Sequence, residues 1–444
     1  MKIIIIGGIA AGMSAAAKAI RLNKEAEIVV YEMSDIISFG ACGLPYFVGD
    51  FFKNEKRMIA RTVEQMRESG VDVQVGHKVL SVDEKSKTLQ VQNLTTSNVF
   101  TQSYDKLMIA SGAEATFPPF KNMNIDNIFK LTKMEDGLAV KEQVMQKSIN
   151  DITIIGAGFI GVEVVEAMVH LGKKVRLIQR SSRVFNGMFD EKITDLMLEE
   201  LLSHGVEVIL NESVTAFEGQ TQVEAIVTDK GVYKTDLVVI ATGFKPNTEF
   251  VLGTGIKTLK NGAIVVNTKG ETSIKDIYSA GDCATVEHML TKENVYIPLA
   301  TGANKLGRVV GSNMAGVSSE YLGSLGSACV KVMDYEAATT GLSEKDSERT
   351  GVEYSSVFIK DKNYTGYYPN QEDLYIKLVY ETQSKVIVGG ETLGKNGAAL
   401  RINVIAMAIR AKMTTAELGM MDFCYAPPIS KTWDALNVAG NVAS

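Results

Sequence analysis

Two stretches with the same plan decide the fold of this chain: IIIIGGIAAGMSAAAKAIR at residues 3–21 and DITIIGAGFIGVEVVEAMVHLG at residues 151–172. In each, a short apolar run leads into a glycine-rich turn and then into a longer helix-forming segment. A second apolar run follows each helix, EIVVYE at 27–32 and KKVRLIQR at 173–180. The sequence therefore predicts two βαβ units in one chain.

Each unit ends on another apolar strand that runs into a glycine. KLMIASGA leads to Gly112, and DLVVIATGFKPN contains Gly243. Between the opening and closing strands lies an alternating stretch, for example residues 206–233, which predicts a β-meander. We therefore expect an α/β protein with two Rossmann-like domains.

The first stretch has a second interpretation. Residues 3–17 are uncharged, follow Lys2 and end in small residues, as a signal peptide does. The strand–turn–helix interpretation is favoured, because glycines have a purpose in a turn and none in a secretion segment. The run is also too short to cross a bilayer.

Composition excludes several classes of protein. Of 444 residues, 45% are hydrophobic and 22% charged, which excludes disordered, collagen-like and coiled-coil chains. The formal net charge of −6, without any Lys/Arg block, argues against nucleic-acid and membrane partners. The four cysteines have neither CxxC nor zinc spacing, so we expect no metal site and a reducing, cytoplasmic location. They are Cys42, Cys283, Cys329 and Cys424.

The glycine turns indicate dinucleotide binding. A βα turn without side chains lets backbone N–H groups and a helix N-terminus approach a pyrophosphate, and a carboxylate about 20 residues later binds a ribose. Glu32 meets this spacing in the first unit, although Ile9 replaces the middle glycine there. The candidate contacts in the two turns are Gly7, Gly8, Ala10, Ala11, Gly12, Gly156, Gly158, Phe159, Ile160 and Gly161.

The ribose position of the second unit departs from the NAD pattern. Gln179 stands where an acid is expected, and Arg180 follows it. A neutral residue beside arginine accommodates the 2′-phosphate of NADPH. The alternative is that Gln179 bonds a ribose hydroxyl of NADH while the arginine is solvated. The sequence favours NADPH and leaves NADH open.

Residues 272–284, TSIKDIYSAGDCA, resemble the second FAD-binding signature of the flavoproteins with two dinucleotide-binding domains. The resemblance implies a glutathione-reductase-like fold in which an NAD(P)H domain is inserted into an FAD domain and an α+β dimerisation domain follows. It places Asp282 on the ribityl chain and Ala300 near the flavin ring. The implied domains are 1–114 and 245–322 for FAD, 115–244 for NAD(P)H and 323–444 for dimerisation. Further implied cofactor contacts are Val79, Ser111, Gly112 and Gly243.

SFGACGLPY at residues 38–46 indicates the subfamily. Glutathione-reductase-like members carry two cysteines five positions apart, whereas Ile37 and Phe47 stand at those distances from Cys42. A single cysteine in SFxxCGLPY resembles the coenzyme A–disulfide reductases, whose thiol alternates between thiolate and a mixed disulfide with coenzyme A. The sister NADH oxidases and peroxidases cycle through a sulfenic acid. They carry a histidine in the first glycine turn where this chain has Ala10, which favours the reductase.

Two C-terminal segments, NYTGYYPNQEDLYIKL and CYAPPISKTWDALNVAGNVA, resemble segments that reach the partner subunit's active site in the family dimer. The resemblance implies that Tyr425 and either Tyr367 or Tyr368 act as acids toward Cys42 of the other chain. On an extended strand adjacent side chains face opposite ways, so only one of the two neighbouring tyrosines is expected to point inward. The alternative role of all three is packing.

Pro45 predicts a helix that begins just after Cys42. A helix N-terminus and an oxidised flavin would lower the pKa of the Cys42 thiol and keep a thiolate available. Cys283 and Cys329 are expected to be small buried residues, and Cys424 a packing residue.

Ser14, Lys18 and Arg21 recur at helical spacing along one face of the first predicted helix. The resemblance implies that this face, with Ser38 and Asn304, binds coenzyme A. The alternative is an ordinary solvated helix face.

Two positions depart from the family pattern for coenzyme A. Ala41 stands where staphylococcal-type reductases carry Asn, and Gly70 where a further Lys is expected. Arg61 or Arg67 is expected to substitute.

The sequence thus predicts a cytoplasmic, homodimeric FAD-dependent NAD(P)H:coenzyme A–disulfide reductase. The main alternative is an NAD(P)H oxidase or peroxidase with a Cys42 sulfenate. More distant alternatives are an electron-transfer flavoprotein and a nucleotide sensor. A polysulfide-reducing variant stays open, although its usual appended rhodanese-like domain would have no room after Ser444.

Overall fold

The first apolar run is the central strand of a parallel sheet in the computed structural model, which describes residues 1–444. The strand–turn–helix interpretation of residues 3–21 is therefore confirmed. The elements of this first part are β1 (Lys2–Ile6), α1 (Ala10–Leu22), β2 (Glu27–Tyr31), α2 (Leu44–Val48), α3 (Val63–Glu68), β3 (Asp72–Gln74), β4 (His77–Asp83), β5 (Thr88–Asn93), β6 (Val99–Ser103), β7 (Lys106–Ile109) and β8 (Ala113–Ala115).

The second part repeats this plan with a five-stranded parallel sheet of its own. Its elements are β9 (Ile128–Phe129), α4 (Met134–Val144), β10 (Asp151–Ile155), α5 (Phe159–His170), β11 (Lys174–Gln179), α6 (Glu191–Ser203), β12 (Glu207–Leu210), β13 (Val214–Glu218), β14 (Ala225–Thr228), β15 (Val232–Lys234), β16 (Leu237–Ile240) and β17 (Phe244–Pro246). The strand order is β12-β11-β10-β16-β9, with β10 paired in parallel to both β11 and β16.

The meander expected over 206–233 is only partly present. β12 joins the parallel sheet beside β11, and only β13, β14 and β15 form the antiparallel meander. The two are separated at Asn211, whose positive φ of 56° turns the chain out of the sheet.

After the second part the chain returns to the first sheet. The returning elements are β18 (Ile277–Ser279), β19 (Val286–Glu287), β20 (Asn294–Val295) and α7 (Ala300–Met314). β18 pairs with β7, which gives the order β18-β7-β1-β2-β3. α7 packs closely on α1, because a Cβ at Gly307 would lie only 2.5 Å from the backbone oxygen of Ala11. The second unit is therefore an insertion in the first.

The C-terminal part is an antiparallel sheet with helices packed on it. Its elements are β21 (Ala328–Val332), β22 (Tyr335–Gly341), α8 (Ser347–Thr350), β23 (Tyr354–Lys362), β24 (Asp373–Glu381), β25 (Ile387–Gly394), α9 (Ile402–Ala411), α10 (Thr415–Gly419) and α11 (Ala435–Ala443). The strand order is β21-β22-β25-β24-β23. Val330 and Val332 of β21 share one apolar core with Ile154 and Val164 of the inserted unit.

The predicted fold class, two Rossmann-like α/β units followed by an α+β unit, is confirmed. None of the helices combines the length and the apolar character needed to cross a lipid bilayer.

Candidate active site

The two glycine turns have the same geometry, and in both it excludes side chains. A Cβ at Gly12 would lie 1.9 Å from the backbone oxygen of Gly7, and a Cβ at Gly161 would lie 1.8 Å from that of Gly156. Each contact holds the first turn of a helix against the end of the preceding strand. The open helix N-terminus that results fits a dinucleotide pyrophosphate.

Glu32, directly after β2, and Gln179, at the end of β11, occupy equivalent positions beside the two glycine turns. Glu32 Oε2 accepts the backbone N–H of Gly8 at 2.7 Å, and Gln179 Oε1 accepts that of Ala157 at 3.3 Å. Glu32 is buried, and its other oxygen accepts two hydrogen bonds from Ser34. Both side chains therefore lie against the glycine turns, and the expectation that they bind a ribose stays a prediction. The remaining predicted turn residues lie at the first turns of α1 and α5: Ala10, Ala11, Phe159 and Ile160, with Gly158 preceding α5.

The two arginines that follow β11 differ in their availability. Arg183 forms ion pairs with Glu191 and Asp195 of α6. Arg180 is exposed and its side chain makes no hydrogen bond or ion pair with the protein. Gln179 donates to Ser181 Oγ at 2.6 Å. Arg180 is thus the cation of this loop that is free to bind a phosphate.

Several of the further residues implied as cofactor contacts lie where the chain passes between the two nucleotide-binding units. Gly112 and Gly243 both have positive φ, of 68° and 120°. Ser111 Oγ donates to the backbone oxygen of Asn247 at 2.6 Å. This bond joins the segment that leaves the first unit after β7 to the segment that returns to it after β17. Val79 lies in β4 with its side chain in the core, so only its backbone is open to a ligand.

Asp282 and Ala300, the two residues expected beside the flavin, lie after β18 and at the start of α7. Ala300 is the first residue of the 15-residue helix α7, and its position there is exposed. Burial raises the pKa of the Asp282 carboxyl, which has no ionic partner in the protein. A partly buried carboxyl without an ionic partner fits a neutral ligand with hydroxyl donors.

Cys42 lies in a single 3₁₀ turn, residues 41–43, directly before α2. Pro45 is in the first turn of α2, as predicted. The expectation of a lowered thiol pKa is wrong for the chain by itself. Although the residue is exposed, partial desolvation raises the pKa of Cys42, and the charges of Glu163 and Asp282 raise it further. Any lowering must therefore come from a bound group.

Two carboxylates of α5 were not predicted from the sequence: Glu163, whose charge acts on the Cys42 thiol, and Glu166. Burial, with a smaller effect of Glu166, raises the pKa of Glu163 to about 7. Glu166 is itself buried and pairs with Lys331 of β21. The sequence does contain a signal for these two residues, since they are the only acids in the apolar segment FIGVEVVEAMVH and lie three positions apart. An apolar helix rarely buries a carboxylate without a function.

The C-terminal tyrosines lie in loops and not on a strand as expected. Tyr367 and Tyr368 fall between β23 and β24, so alternation along a strand does not apply to them. The phenol oxygen of Tyr367 lies 2.7 Å from that of Tyr425. Tyr368 instead packs edge-on against Tyr364, with ring centroids 5.7 Å apart. The structure thus pairs Tyr367 with Tyr425, and brings neither into contact with Cys42 of the same chain.

The predicted coenzyme A face lies along α1 and α7. Ser14 Oγ donates to Asn304 Oδ1 at 2.7 Å, which joins the two helices. Lys18 lies on the same side of α1, and Arg21 is exposed in its last turn. Ser38 adopts the left-handed region with φ 51°.

Next to this face is a pocket of about 450 Å³ lined by Arg21, Lys24, Arg61 and Glu68, among others. Arg67 does not line it, because its guanidinium donates to the backbone oxygen of Val73. Of the two arginines expected to substitute for a lysine at Gly70, only Arg61 lines this pocket, and the substitution itself stays a prediction. The φ of 93° at Gly70 would strain any side chain there.

The four cysteines are all free. Cys283 is fully buried, as expected. The expectation that Cys329 is buried is wrong, since Val330 and Val332 point into the core and Cys329 alternates to the exposed side of β21. Cys424 is exposed as well.

Comparison with known families gives two matches that together span the chain. The family model described as pyridine nucleotide-disulphide oxidoreductase matches residues 1–307. The model of the dimerisation domain of the same family matches residues 327–436.

Curated relatives match over the full length. An NAD(P)H sulfur oxidoreductase (CoA-dependent) of Pyrococcus furiosus is 36% identical over 99% of this chain and 98% of its own. An NADH oxidase of Enterococcus faecalis is 32% identical over 100% of this chain and 99% of its own. A coenzyme A disulfide reductase of Staphylococcus aureus is 32% identical over 99% of both chains.

Solved structures with the same fold include both reductases and oxidases. Reduced Bacillus anthracis CoADR-RHD has a TM-score of 0.95 at 34% identity, with 100% of this chain and 80% of that chain covered. The water-forming NADH oxidase of Lactobacillus brevis, bound to NADH, has a TM-score of 0.95 at 31% identity, and an engineered NADPH-bound form of it has 0.95 at 32%. Both are covered to 98%, and this chain to 100%.

Proposed function

The chain belongs to the pyridine nucleotide-disulphide oxidoreductase family, and from that membership we propose that it is an FAD-dependent NAD(P)H:coenzyme A–disulfide reductase working through Cys42. It is an oxidoreductase by family. The observation that carries the proposal is the isolation of Cys42, which has Ile37 and Phe47 at the positions where a second local cysteine would stand. A lone thiol completes a disulfide only with a thiol that the substrate brings.

The glycine turns and the crossings between the two units described above fit two dinucleotides. The residues proposed to hold FAD are Gly7, Gly8, Ala10, Ala11, Gly12, Glu32, Val79, Ser111, Gly112, Asp282 and Ala300; those proposed for NAD(P)H are Gly156, Gly158, Phe159, Ile160, Gly161, Gln179, Arg180 and Gly243. When bound, FAD supplies two-electron transfer between NAD(P)H and a disulfide. The proposed domains are 1–114 with 245–322, 115–244 and 323–444, as the membership of the three large sheets supports.

Cys42 is the nucleophile in this proposal. Its thiolate attacks one sulfur of coenzyme A disulfide, so that a Cys42–coenzyme A disulfide forms and one coenzyme A leaves as thiolate. Two electrons then cleave the mixed disulfide, releasing the second coenzyme A and returning the Cys42 thiolate. Each leaving thiolate takes up one proton, which balances the reaction.

We propose that the proton comes from the Tyr367–Tyr425 pair of the second subunit in a homodimer. The C-terminal unit that carries this pair also has large exposed apolar side chains, which are typical of an obligate interface. Met407 is 69% exposed, Met420 72% and Ile429 65%. All lie within residues 327–436, which match the family's dimerisation domain.

Coenzyme A is proposed to bind along α1. Ser14, Lys18, Arg21, Ser38 and Asn304 form the face predicted from sequence, and the adjoining pocket adds Lys24 and Arg61. Clustered lysine and arginine side chains suit the pyrophosphate and 3′-phosphate of coenzyme A.

NADPH is the proposed preferred nucleotide. Arg180 is unpaired and follows neutral Gln179, with Ser181 next. The engineered NADPH-bound oxidase has alanine, arginine and serine in place of three successive residues, aspartate, alanine and methionine, of the NADH-bound protein. The run Gln-Arg-Ser at 179–181 resembles that engineered run.

A second candidate function is coenzyme A-dependent reduction of sulfur or persulfide. The Pyrococcus relative named for such activity is covered over 98% of its length, so the expectation that polysulfide reduction goes with an appended domain is not supported. Oxygen reduction, as in the NADH oxidase relatives, stays an alternative with Cys42 as sulfenate. Four free cysteines support the proposal of a reducing, cytoplasmic location.

The test is anaerobic oxidation of NADPH and NADH by the purified holoenzyme, with coenzyme A disulfide, with polysulfide plus coenzyme A, or with no acceptor. Turnover that requires coenzyme A disulfide supports the proposal. Turnover with polysulfide plus coenzyme A but not with coenzyme A disulfide supports the second candidate, and turnover only after oxygen is admitted supports the oxidase.

A further inference from the structure

A buried ionic cluster joins the C-terminal sheet to the inserted nucleotide unit. Lys377 of β24 lies 2.5 Å from Asp190 Oδ2 and 2.8 Å from Glu344. The backbone N–H of Asp190 points at both oxygens of Glu391 in β25, at 3.0 and 2.9 Å. The side chain of Lys377 and residue Glu391 are each only 7% exposed. Buried charges are costly, so this arrangement holds its members in fixed positions.

Asp190 is the residue through which the cluster acts on the nucleotide unit. It is the N-cap of α6, and its Oδ1 accepts the backbone N–H of Lys192 at 3.0 Å. We name residues 180–190, the segment between β11 and α6, the nucleotide loop. Asp190 is the last residue of this loop. The sheet therefore fixes both the start of α6 and one end of this loop.

The nucleotide loop touches the second glycine turn directly. The backbone N–H of Phe185 donates to the backbone oxygen of Ala157 at 2.8 Å. Phe185 and Phe189 are buried, and their ring centroids lie 5.5 and 6.4 Å from that of Phe159 at the start of α5. At its other end the loop presents Arg180. A shift at Asp190 would thus be transmitted to the glycine turn and to the free arginine.

We infer that Glu391 and Lys377 are positioning residues for nicotinamide-nucleotide binding: from the C-terminal sheet they fix Asp190 and with it the nucleotide loop. Neither side chain needs to touch the nucleotide. The inference rests on nucleotide binding by the inserted unit and holds whichever acceptor the enzyme uses.

The test is anaerobic reduction of the flavin of the full-length holoenzyme by NADPH and by NADH, without any acceptor. Glu391→Leu removes the acceptor for the Asp190 N–H and is expected to raise the apparent Kd of the nucleotide about tenfold. The limiting rate of flavin reduction is expected to stay near that of the wild type. Glu391→Gln keeps an oxygen that accepts this N–H and is expected to restore tight binding.

Lys395→Met is the matched control. Lys395 pairs with Asp334, whose backbone N–H donates to Glu200 of α6, so it also links the C-terminal part to α6. It does not contact the nucleotide loop. This variant is expected to bind nucleotide as the wild type does. Should Glu391→Leu fail to fold, Lys377→Met carries the same expectation of weaker binding with an unchanged limiting rate.

The inference is overturned by folded Glu391→Leu or Lys377→Met protein that binds nucleotide as tightly as the wild type. It is also overturned if Glu391→Gln binds as weakly as Glu391→Leu. A wild-type flavin that NAD(P)H does not reduce would instead contradict the proposed function, so the two failures are distinct.

Discussion

The phenol oxygens of Tyr367 and Tyr425 lie 2.7 Å apart, although 58 residues separate them in the chain. The hydrogen bond to Tyr367 raises the pKa of Tyr425, a phenol that is protonated at neutral pH even without this contact. Both rings are exposed on the face proposed for dimerisation. The pair is therefore placed to donate a proton to a group that another subunit supplies.

Replacing Tyr425 by Phe tests this acid. Tyr425→Phe is expected to lower turnover with coenzyme A disulfide on the order of 100-fold, the usual contribution of a general acid. Flavin reduction by NAD(P)H should not change. Tyr368→Phe is the control, since Tyr368 packs on Tyr364 and not on the pair; a loss of turnover as large in the control would contradict the assignment.

Glu163 gives a pH prediction with a definite sign. Its carboxyl, with a pKa of about 7, is ionised above neutral pH, and its negative charge raises the pKa of Cys42. Glu163→Gln removes this charge, so the Cys42 thiolate should form at lower pH than in the wild type. Iodoacetamide alkylation of the reduced enzyme as a function of pH measures the midpoint. Glu142→Gln, at an exposed position of α4, is the control. An unchanged midpoint in Glu163→Gln would show that the carboxylate does not act on the thiol.

Arg180 decides the nucleotide preference in this account. Arg180→Ala is expected to raise the KM for NADPH about tenfold, because a charge-assisted hydrogen bond to the 2′-phosphate is lost. The KM for NADH should stay the same. Lys174→Ala, at the opposite end of β11, controls for the loss of an exposed cation on that strand. Equal effects on both nucleotides would assign Arg180 a structural role.

Arg61 and Arg21 line the pocket assigned to the phosphates of coenzyme A. Arg61→Ala is expected to raise the KM for coenzyme A disulfide about tenfold. The substrate itself provides the control: pantethine is the corresponding disulfide without the phosphoadenosine part, and its KM should be unaffected. If both KM values rise together, the pocket does not bind phosphate.

Much of the nucleotide-binding framework followed from local sequence. Steric exclusion makes Gly12 and Gly161 obligatory, and the strand length places Glu32 and Gln179 opposite the turns. Such features repeat at fixed short spacing, which is why motifs predict them.

The parts that sequence did not predict depend on long-range packing. The Tyr367–Tyr425 contact joins two loops, and no local pattern distinguishes Tyr367 from Tyr368. From the sequence, Glu163 is a polar residue in an apolar helix, and nothing local indicates that it is desolvated and acts on Cys42. Cys329 was predicted to be buried because its strand is apolar, but its side chain lies on the side of β21 that faces away from the core.

The central claim is that Cys42 alternates between a thiolate and a mixed disulfide with coenzyme A. The most direct test is the intact mass of the enzyme after anaerobic treatment with coenzyme A disulfide, before and after NADPH is added, for wild type and Cys42→Ser. The account predicts one coenzyme A per wild-type chain, its release by NADPH, and no adduct on a Cys42→Ser protein that still binds FAD. An adduct that persists in Cys42→Ser, or a wild-type chain that never carries coenzyme A, would contradict the account.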